Sequence, residues 1–309
     1  MRDYLIRRIL LLVPTLLMVT MIVFFLVRFI PGDVIDLMVR EMAEEARAGG
    51  MEFTAQVLRE QLGLDLPIHV QYGRWLGNAI RGDLGTSLWT QRPIVEDILR
   101  RIPVSFELAF LALIIKLLIS IPIGVWSAIR QDTMSDYVGR TIAIVFISAP
   151  SFWVATMIIV YPSIWWGWSP ALEYIPITKD VMGNLVQFII PASIMGMLAT
   201  GTTMRMTRTM MLEVLRQDYI RTAWAKGLNE RTIIMRHALK NAMIPVITVI
   251  GLSLPVLIGG SVVLENIFVL PGIGRLLVEA INQRDYPVIS GINIFVASFI
   301  LVANLLVDL

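Results

Sequence analysis

The stretch YIRTAWAKGLNERTIIMRHALKNAMIP, from Tyr219 to Pro245, is a basic segment that joins two apolar runs of the chain. Its pattern predicts two short helices around a turn, because Lys226 and Gly227 are placed as in a left-handed helix stop and Asn229 can cap a second helix. Such a rigid knuckle suits docking into a groove of a partner protein, and the alternative is a basic segment lying on anionic lipid. The two helices would be basic outside and apolar at Ile220, Ala223, Trp224, Ile233, Ile234 and Leu239.

Apolar runs on both sides of this segment indicate a membrane protein. Of the 309 residues, 56% are apolar and 16% are charged, whereas soluble domains are about 45–50% apolar and about 25% charged. A run of roughly 20 apolar residues can cross a bilayer as a helix, and six occur, at about residues 9–30, 106–129, 142–166, 185–204, 243–264 and 288–307. We therefore expect an all-α polytopic membrane protein. The fourth and fifth runs contain Pro and Gly, so we expect these two helices to pack inside protein.

Positive charges predict the orientation of the six helices. Lys and Arg gather before the first run, between the second and third runs, and in the segment around Gly227. Six crossings place these three segments on one side, which the positive-inside rule assigns to the cytoplasm together with both termini. Residues 31–105 then lie outside, and their apolar residues at loosely helical spacing predict a small folded cap.

Several classes of function lack the residues that they need. The chain has no cysteine and two histidines, neither of them in an apolar run, so we predict no catalytic site and no metal site. The sequence Gly-x-x-x-x-Gly-Lys-Ser/Thr is absent, so ATP hydrolysis would have to come from another chain. A channel or a secondary transporter not coupled to ATP is the alternative, although no filter motif or internal repeat is found. The net charge of +2 gives no reason to expect a nucleic acid.

Lys116 lies about ten residues into the second apolar run, near the middle of the bilayer. An ammonium group costs about 2.5–3.5 kcal/mol at that depth, so we expect its side chain to face protein or water. One hypothesis places Lys116 on a translocation path, where it would meet a carboxylate of the substrate. The other is a buried structural pair or a side chain that snorkels to the interface.

The segment around Gly227 resembles the loop signature of inner-membrane permease subunits of binding-protein-dependent ABC importers, in the dipeptide, oligopeptide and nickel group. The superfamily pattern is Glu-Ala-Ala, three residues, Gly, nine residues, then Ile-x-Leu-Pro, and Ala223, Gly227 and Leu239 fall in register with it. The departures resemble the peptide-group version, at Arg221, Thr222, His237 and Lys240. Four further stretches agree in the same order: FIPGD (29–33), LGLDLPIHVQYGRWLGNAIRGDLGTSL (62–88), SAIRQDTMSDYVGR (127–140) and LPGIGRLLVEAINQRDYPVISG (270–291).

The resemblance implies a fold and a set of partners. The fold would be a type I ABC importer transmembrane domain with six transmembrane helices. Residues 1–103 would be the first helix plus an external segment, and residues 104–309 the five-helix ABC type-1 domain, with its coupling loop at about 205–242. The partners would be a second permease subunit, two cytoplasmic ABC ATPase subunits and an extracytoplasmic solute-binding protein, in a prokaryotic inner membrane. ATP and Mg²⁺ would bind to the ATPases, with no cofactor in this chain, which is not itself expected to be an enzyme. The solute would be a di- or oligopeptide or a related solute such as glutathione, a nickel chelate or a glycoside.

The resemblance also implies roles for individual residues. The loop would supply a coupling helix that sits in a cleft of an ATPase subunit, with Gly227 shaping the turn. Glu265 matches a family Glu before a re-entrant external loop that would receive the substrate, and the alternative is a solvated helix end. The other residues expected to face the ATPase are Arg221, Thr222, Ala223, Asn229 and Glu230.

Overall fold

The computed structural model describes residues 2–28, 65–171 and 173–308, which are mostly helical. The FIPGD stretch and residues 62–64 of the second matching stretch lie outside the described residues. The helices, numbered in chain order, are α1 (Arg2–Arg28), α2 (Ile68–Ile80), α3 (Ile94–Ile129), α4 (Met134–Ser148), α5 (Ser151–Trp166), α6 (Val181–Leu215), α7 (Asp218–Ala225), α8 (Glu230–Ile267), α9 (Ile273–Gln283) and α10 (Tyr286–Asp308).

Helices α1, α3, α6, α8 and α10 are each long and apolar enough to cross a membrane. A sixth span results if α4 and α5, which are bent by 92° relative to each other, cross as one. The prediction of an all-α fold with six candidate spans is thus confirmed, but the run at 142–166 is not one straight helix. The residue before a proline is disfavoured in the α conformation, and Ala149, which precedes Pro150, has extended angles (φ −79°, ψ 123°).

The chain divides into two compact units. One combines the described residues up to Arg101 with Leu276–Leu301, and the other combines Ile102–Arg275 with the residues from Val302 onward. The domain boundary that the resemblance implies, after residue 103, stays a prediction.

In the first unit, α1 packs against α2 through aromatic side chains. The hydroxyl groups of Thr20 and Tyr72 are hydrogen-bonded at 2.9 Å. The ring of Phe24 lies 5.3 Å from that of Tyr72 and 5.6 Å from that of Trp75, which is the usual range for aromatic pairs. The segment predicted to form an external cap is therefore folded in its described part, from residue 65 onward.

The loop before α3 is held in the same unit by a buried carboxylate. The hydroxyl of Ser87 donates to Asp285 at 2.6 Å, and the backbone N–H of Leu88 donates to the same oxygen at 3.1 Å. The indole N–H of Trp89 donates to the backbone carbonyl of Gln283 at 2.9 Å. These bonds fix the loop to the turn between α9 and α10.

In the second unit, α6 packs against α4, α5 and α8. Two glycines of α6 allow its backbone to approach its neighbours closely. A Cβ atom at Gly196 would lie 2.6 Å from the carbonyl oxygen of Ala112 in α3, and one at Gly201 would lie 2.5 Å from that of Ala143 in α4. Both distances are far below ordinary contact, so this face of α6 is tightly packed, whereas its Val186 and Ile189 are exposed. The prediction that α6 packs inside protein therefore holds for one face of the helix.

Among the described residues, helix α8 is enclosed on one face only. Its buried residues include Ala242, Val246, Leu257 and Ser261. The opposite face leaves large apolar side chains exposed, at Ile244, Leu252, Val256 and Val263. The prediction that α8 packs inside protein therefore holds for one face of the helix and not for the other.

Candidate functional site

Helix α7 ends at the turn that the sequence predicts. Gly227 has a left-handed backbone conformation, with φ of +76°. Its N–H donates to the carbonyl of Trp224 at 2.9 Å, and the N–H of Leu228 donates to that of Ala223 at 3.4 Å. These two bonds form a Schellman motif, in which the left-handed residue closes the helix. Gly227 therefore shapes the turn, as predicted.

Asn229 starts the next helix. Its side-chain oxygen accepts a hydrogen bond from the N–H of Thr232 at 2.9 Å, which is an N-cap. The prediction of a second short helix is wrong, because the helix continues through a π-helical stretch, Ile233–Ala238, into the membrane span α8. Residues 230–244 contain neither Gly nor Pro, so nothing in the sequence stops the helix there.

The apolar face of α7 is buried in a cluster of side chains from four helices. Ile220 is fully buried and Ala223 is 6% exposed. Both pack among residues of α3, α6 and α8, namely Val125, Ala128, Met211, Ile233, Ala238 and Ala242. The hydroxyl of Tyr219 also accepts a hydrogen bond from Asn241 at 2.8 Å. The knuckle formed by α7 and its turn, residues 218–230, is therefore built onto the ends of three long helices.

The polar face of the knuckle is exposed. The residues on it include Arg221, Thr222, Gly227, Asn229 and Glu230. Arg221 lies 3.4 Å from Asp218 in an exposed ion pair, and such pairs contribute about 0–1 kcal/mol. Arg221 can thus meet a partner without disturbing the fold, whereas the side chain of Asn229 also caps α8.

Two residues of α7 differ from the prediction. Ala223 was expected on the apolar face and also toward the ATPase, and the structure agrees with the first of these, because it lies under the helix against the apolar cluster. Trp224 was expected on the apolar face, but 48% of it is exposed. Adjacent residues of a helix point about 100° apart, so only one of the two can face the cluster. An exposed tryptophan on a rigid helix is typical of the residues that anchor protein interfaces.

Lys116 is buried in the second unit, as expected for an ammonium at this depth. The residue is 2% exposed, and its Nζ donates to the hydroxyl of Ser253 in α8 at 2.7 Å. That hydroxyl in turn donates to the carbonyl of Ile250 at 2.6 Å. This geometry agrees with the buried pair, and the path hypothesis for Lys116 stays a prediction.

Glu265 is fully buried at the end of α8. Its Oε1 accepts hydrogen bonds from the hydroxyl groups of Ser105 and Ser261, at 2.7 and 2.6 Å. Its Oε2 accepts one from the N–H of Arg275 in α9, at 3.0 Å. The alternative of a solvated helix end is therefore wrong. The carboxylate fixes the start of α9 to α8, and it offers no exposed oxygen to a substrate.

Comparisons with known proteins identify the class of protein to which this chain belongs. A family described as the binding-protein-dependent transport system inner membrane component matches residues 120–309, and its N-terminal companion matches residues 1–109. The chain belongs to this family, the permease subunits of binding-protein-dependent ABC importers. It is an inner-membrane, multi-pass component of a transport system, and membership of this family argues against an independent channel or secondary carrier.

Particular relatives align along the whole chain. A protein of Brucella suis biovar 1 (strain 1330), named as a peptide transport system permease protein, is 40% identical over 309 residues. The oligopeptide transport system permease protein AppB of Bacillus subtilis (strain 168) is 38% identical. The dipeptide transport system permease protein DppB of Escherichia coli (strain K12) is 37% identical. In each case the alignment covers 100% of this chain and 96% of the relative.

Proposed function

We propose that this chain moves di- or oligopeptides, or a chemically related solute, inward across a prokaryotic inner membrane as one of two permease subunits. The main observation in support of ATP-driven transport is the knuckle, which is rigid, polar outside and joined to three long helices. The relatives named for oligopeptide and dipeptide transport support the class of solute.

The knuckle is proposed to be the docking site of an ABC ATPase subunit on the cytoplasmic side. Both termini would lie on that side, in agreement with the distribution of Lys and Arg. The ATPases would bind ATP and Mg²⁺, because this chain has no phosphate-binding loop. Arg221, Thr222, Asn229 and Glu230 would contact the ATPase, and Gly227 would set the angle of the turn.

A second permease subunit is proposed to cover the exposed face of α8. Gly259 and Gly260 lie in this helix, and no atom lies within 4 Å of a Cβ built at either glycine. Small residues on a helix face let another helix approach closely within a membrane. A solute-binding protein would deliver the solute to the two permeases from the opposite side.

The proposal is tested by purifying the tagged chain in mild detergent from its native membranes and identifying the co-purifying proteins by mass spectrometry. We expect stoichiometric ATPase subunits and a second permease. In proteoliposomes, this assembly with its binding protein should take up radiolabelled Gly-Leu only when ATP is present. A chain that purifies alone, or uptake that does not require ATP, would contradict the proposal.

A further inference from the structure

The stretch SAIRQDTMSDYVGR contributes to a buried charge network. Asp136, in the first turn of α4, is fully buried. Its carboxylate accepts hydrogen bonds from the hydroxyl of Ser127 in α3, from Arg140 in α4 and from the backbone N–H of Asp132 at 3.0 Å. Arg208 of α6 donates to both oxygens, from Nε and from Nη2, each at 2.8 Å. We call these five residues the Asp136 network.

The bond between Asp136 and Arg208 fixes an orientation as well as a distance. Two parallel N–H···O bonds form only when the guanidinium and carboxylate planes are aligned. A buried carboxylate also depends on its partners, because it has no water to replace them. Helices α4 and α6 are therefore held against both separation and rotation at this point.

Glycines extend this contact along the two helices. A Cβ atom at Gly201 of α6 would lie 2.5 Å from the carbonyl of Ala143, and one at Gly139 of α4 would lie 3.2 Å from the side chain of Met204. Close backbone approach leaves no room for sliding. We therefore treat α4 and α6 as one rigid body.

The same helices that bind Asp136 also hold the knuckle. On α6, Arg208 binds Asp136, and Met211, about one turn further on, packs in the apolar cluster under α7. On α3, Ser127 binds Asp136 and the next residue, Ala128, packs in that cluster. Asp136 is thus connected to α7 through two helices over a few residues each.

We propose that the Asp136 network makes α4 follow α7, the coupling helix of the proposed function. Movement of the ATPases would in this way be passed on to the membrane helices. Asp136 and Arg208 are positioning residues in this inference, which rests on the proposed function. Without the network, the knuckle would still bind and stimulate the ATPases, but α4 would no longer move with it. ATP would then be hydrolysed without transport of solute.

The test measures the ratio of ATP hydrolysed to solute taken up. The complete importer, with its second permease, ATPases and binding protein, is reconstituted in proteoliposomes with radiolabelled Gly-Leu. Asp136→Asn removes the charge and one of the two oxygens that pair with Arg208, so it should raise the ratio severalfold. Asp136→Glu, which keeps the charge, should restore part of the coupling.

Two further variants keep the inference falsifiable. Arg208→Lys retains a positive charge but loses the paired bonds, so it should raise the ratio even if Asp136→Asn assembles poorly. Glu213→Gln removes an exposed carboxylate from the same helix and should leave the ratio unchanged.

The outcomes separate this inference from the proposed function. If uptake and ATP hydrolysis fall together in the assembled variants, with an unchanged ratio, Asp136 has a structural role only and the inference is overturned. If the wild-type importer shows no ATP-driven uptake, the proposed function fails, and the inference fails with it.

Discussion

At the scale of single residues, Gly227 is the position of the knuckle that tolerates the fewest other residue types. A left-handed backbone costs other residues about 1–2 kcal/mol, and its φ is +76° with no atom within 4 Å of a Cβ. The restriction is thus in the backbone and not in the available space. Because the turn sets where the exposed polar side chains point, strain there should alter how they meet an ATPase.

We predict that Gly227→Val lowers ATP-driven uptake strongly while membrane insertion stays normal. Gly227→Asn should have a smaller effect, since asparagine tolerates the left-handed region. Gly82→Val is the matched control, because Gly82 also has a positive φ, +86°, and open space around it. Uptake in proteoliposomes checks the prediction, and wild-type uptake by Gly227→Val would contradict it.

The residues of the site divide into those that sequence could and could not predict. Gly227 and Asn229 were predictable because a helix stop and a cap depend on a few neighbouring residues. The burial of Ala223 agrees with the predicted apolar face, but the exposure of Trp224 was not predictable, because an eight-residue helix does not by itself define the edges of the face that meets the core. The bond between Asp136 and Arg208 joins residues 72 positions apart, which no local pattern reports.

At the scale of helices, the ends were harder to predict than the apolar runs themselves. Helix α8 closes with Val269 in the left-handed region, at φ of +58°, where glycine is the usual residue. Arg275 holds the segment after it, because its backbone N–H donates to Glu265 and its guanidinium donates to the carbonyl of Val269. Such a stop depends on tertiary contacts, although Pro271 and Gly272 also signal the end of the helix in the sequence. The break between α4 and α5 likewise had a signal in Pro150.

The contact between α3 and α8 at Lys116 leads to a prediction about stability. Ser253→Ala removes the hydroxyl that accepts from Lys116, and the loss of a hydrogen bond to a charged group costs about 1.5–3 kcal/mol. Lys116→Met removes the buried charge and leaves Ser253 bonded to the carbonyl of Ile250. We therefore expect Ser253→Ala to lower the unfolding midpoint in detergent and Lys116→Met to leave it unchanged or raise it.

Uptake by the same two variants tests the path hypothesis for Lys116. Unchanged uptake and apparent affinity in Lys116→Met, with normal assembly, would remove this residue from the path. A specific loss of affinity for the labelled dipeptide would support the path hypothesis. A lower unfolding midpoint in Lys116→Met than in Ser253→Ala would contradict the structural explanation.

At the scale of the whole molecule, the absence of cysteine from the sequence makes the orientation directly testable. Arg231, next to the knuckle, and Arg81, after α2, are both exposed. In right-side-out vesicles, a membrane-impermeant maleimide should label Arg81→Cys at once and Arg231→Cys only after permeabilisation. The reverse pattern would contradict the proposed orientation, and the unsubstituted protein provides the unlabelled background.

The half-enclosed helix α8 has a consequence for biosynthesis. On the proposed assembly, a newly inserted chain presents Ile244, Leu252, Val256 and Val263 to lipid until its partner arrives. The open space at Gly259 and Gly260 lies in the same helix. A subunit without its partner would therefore remain open to membrane proteases along that face.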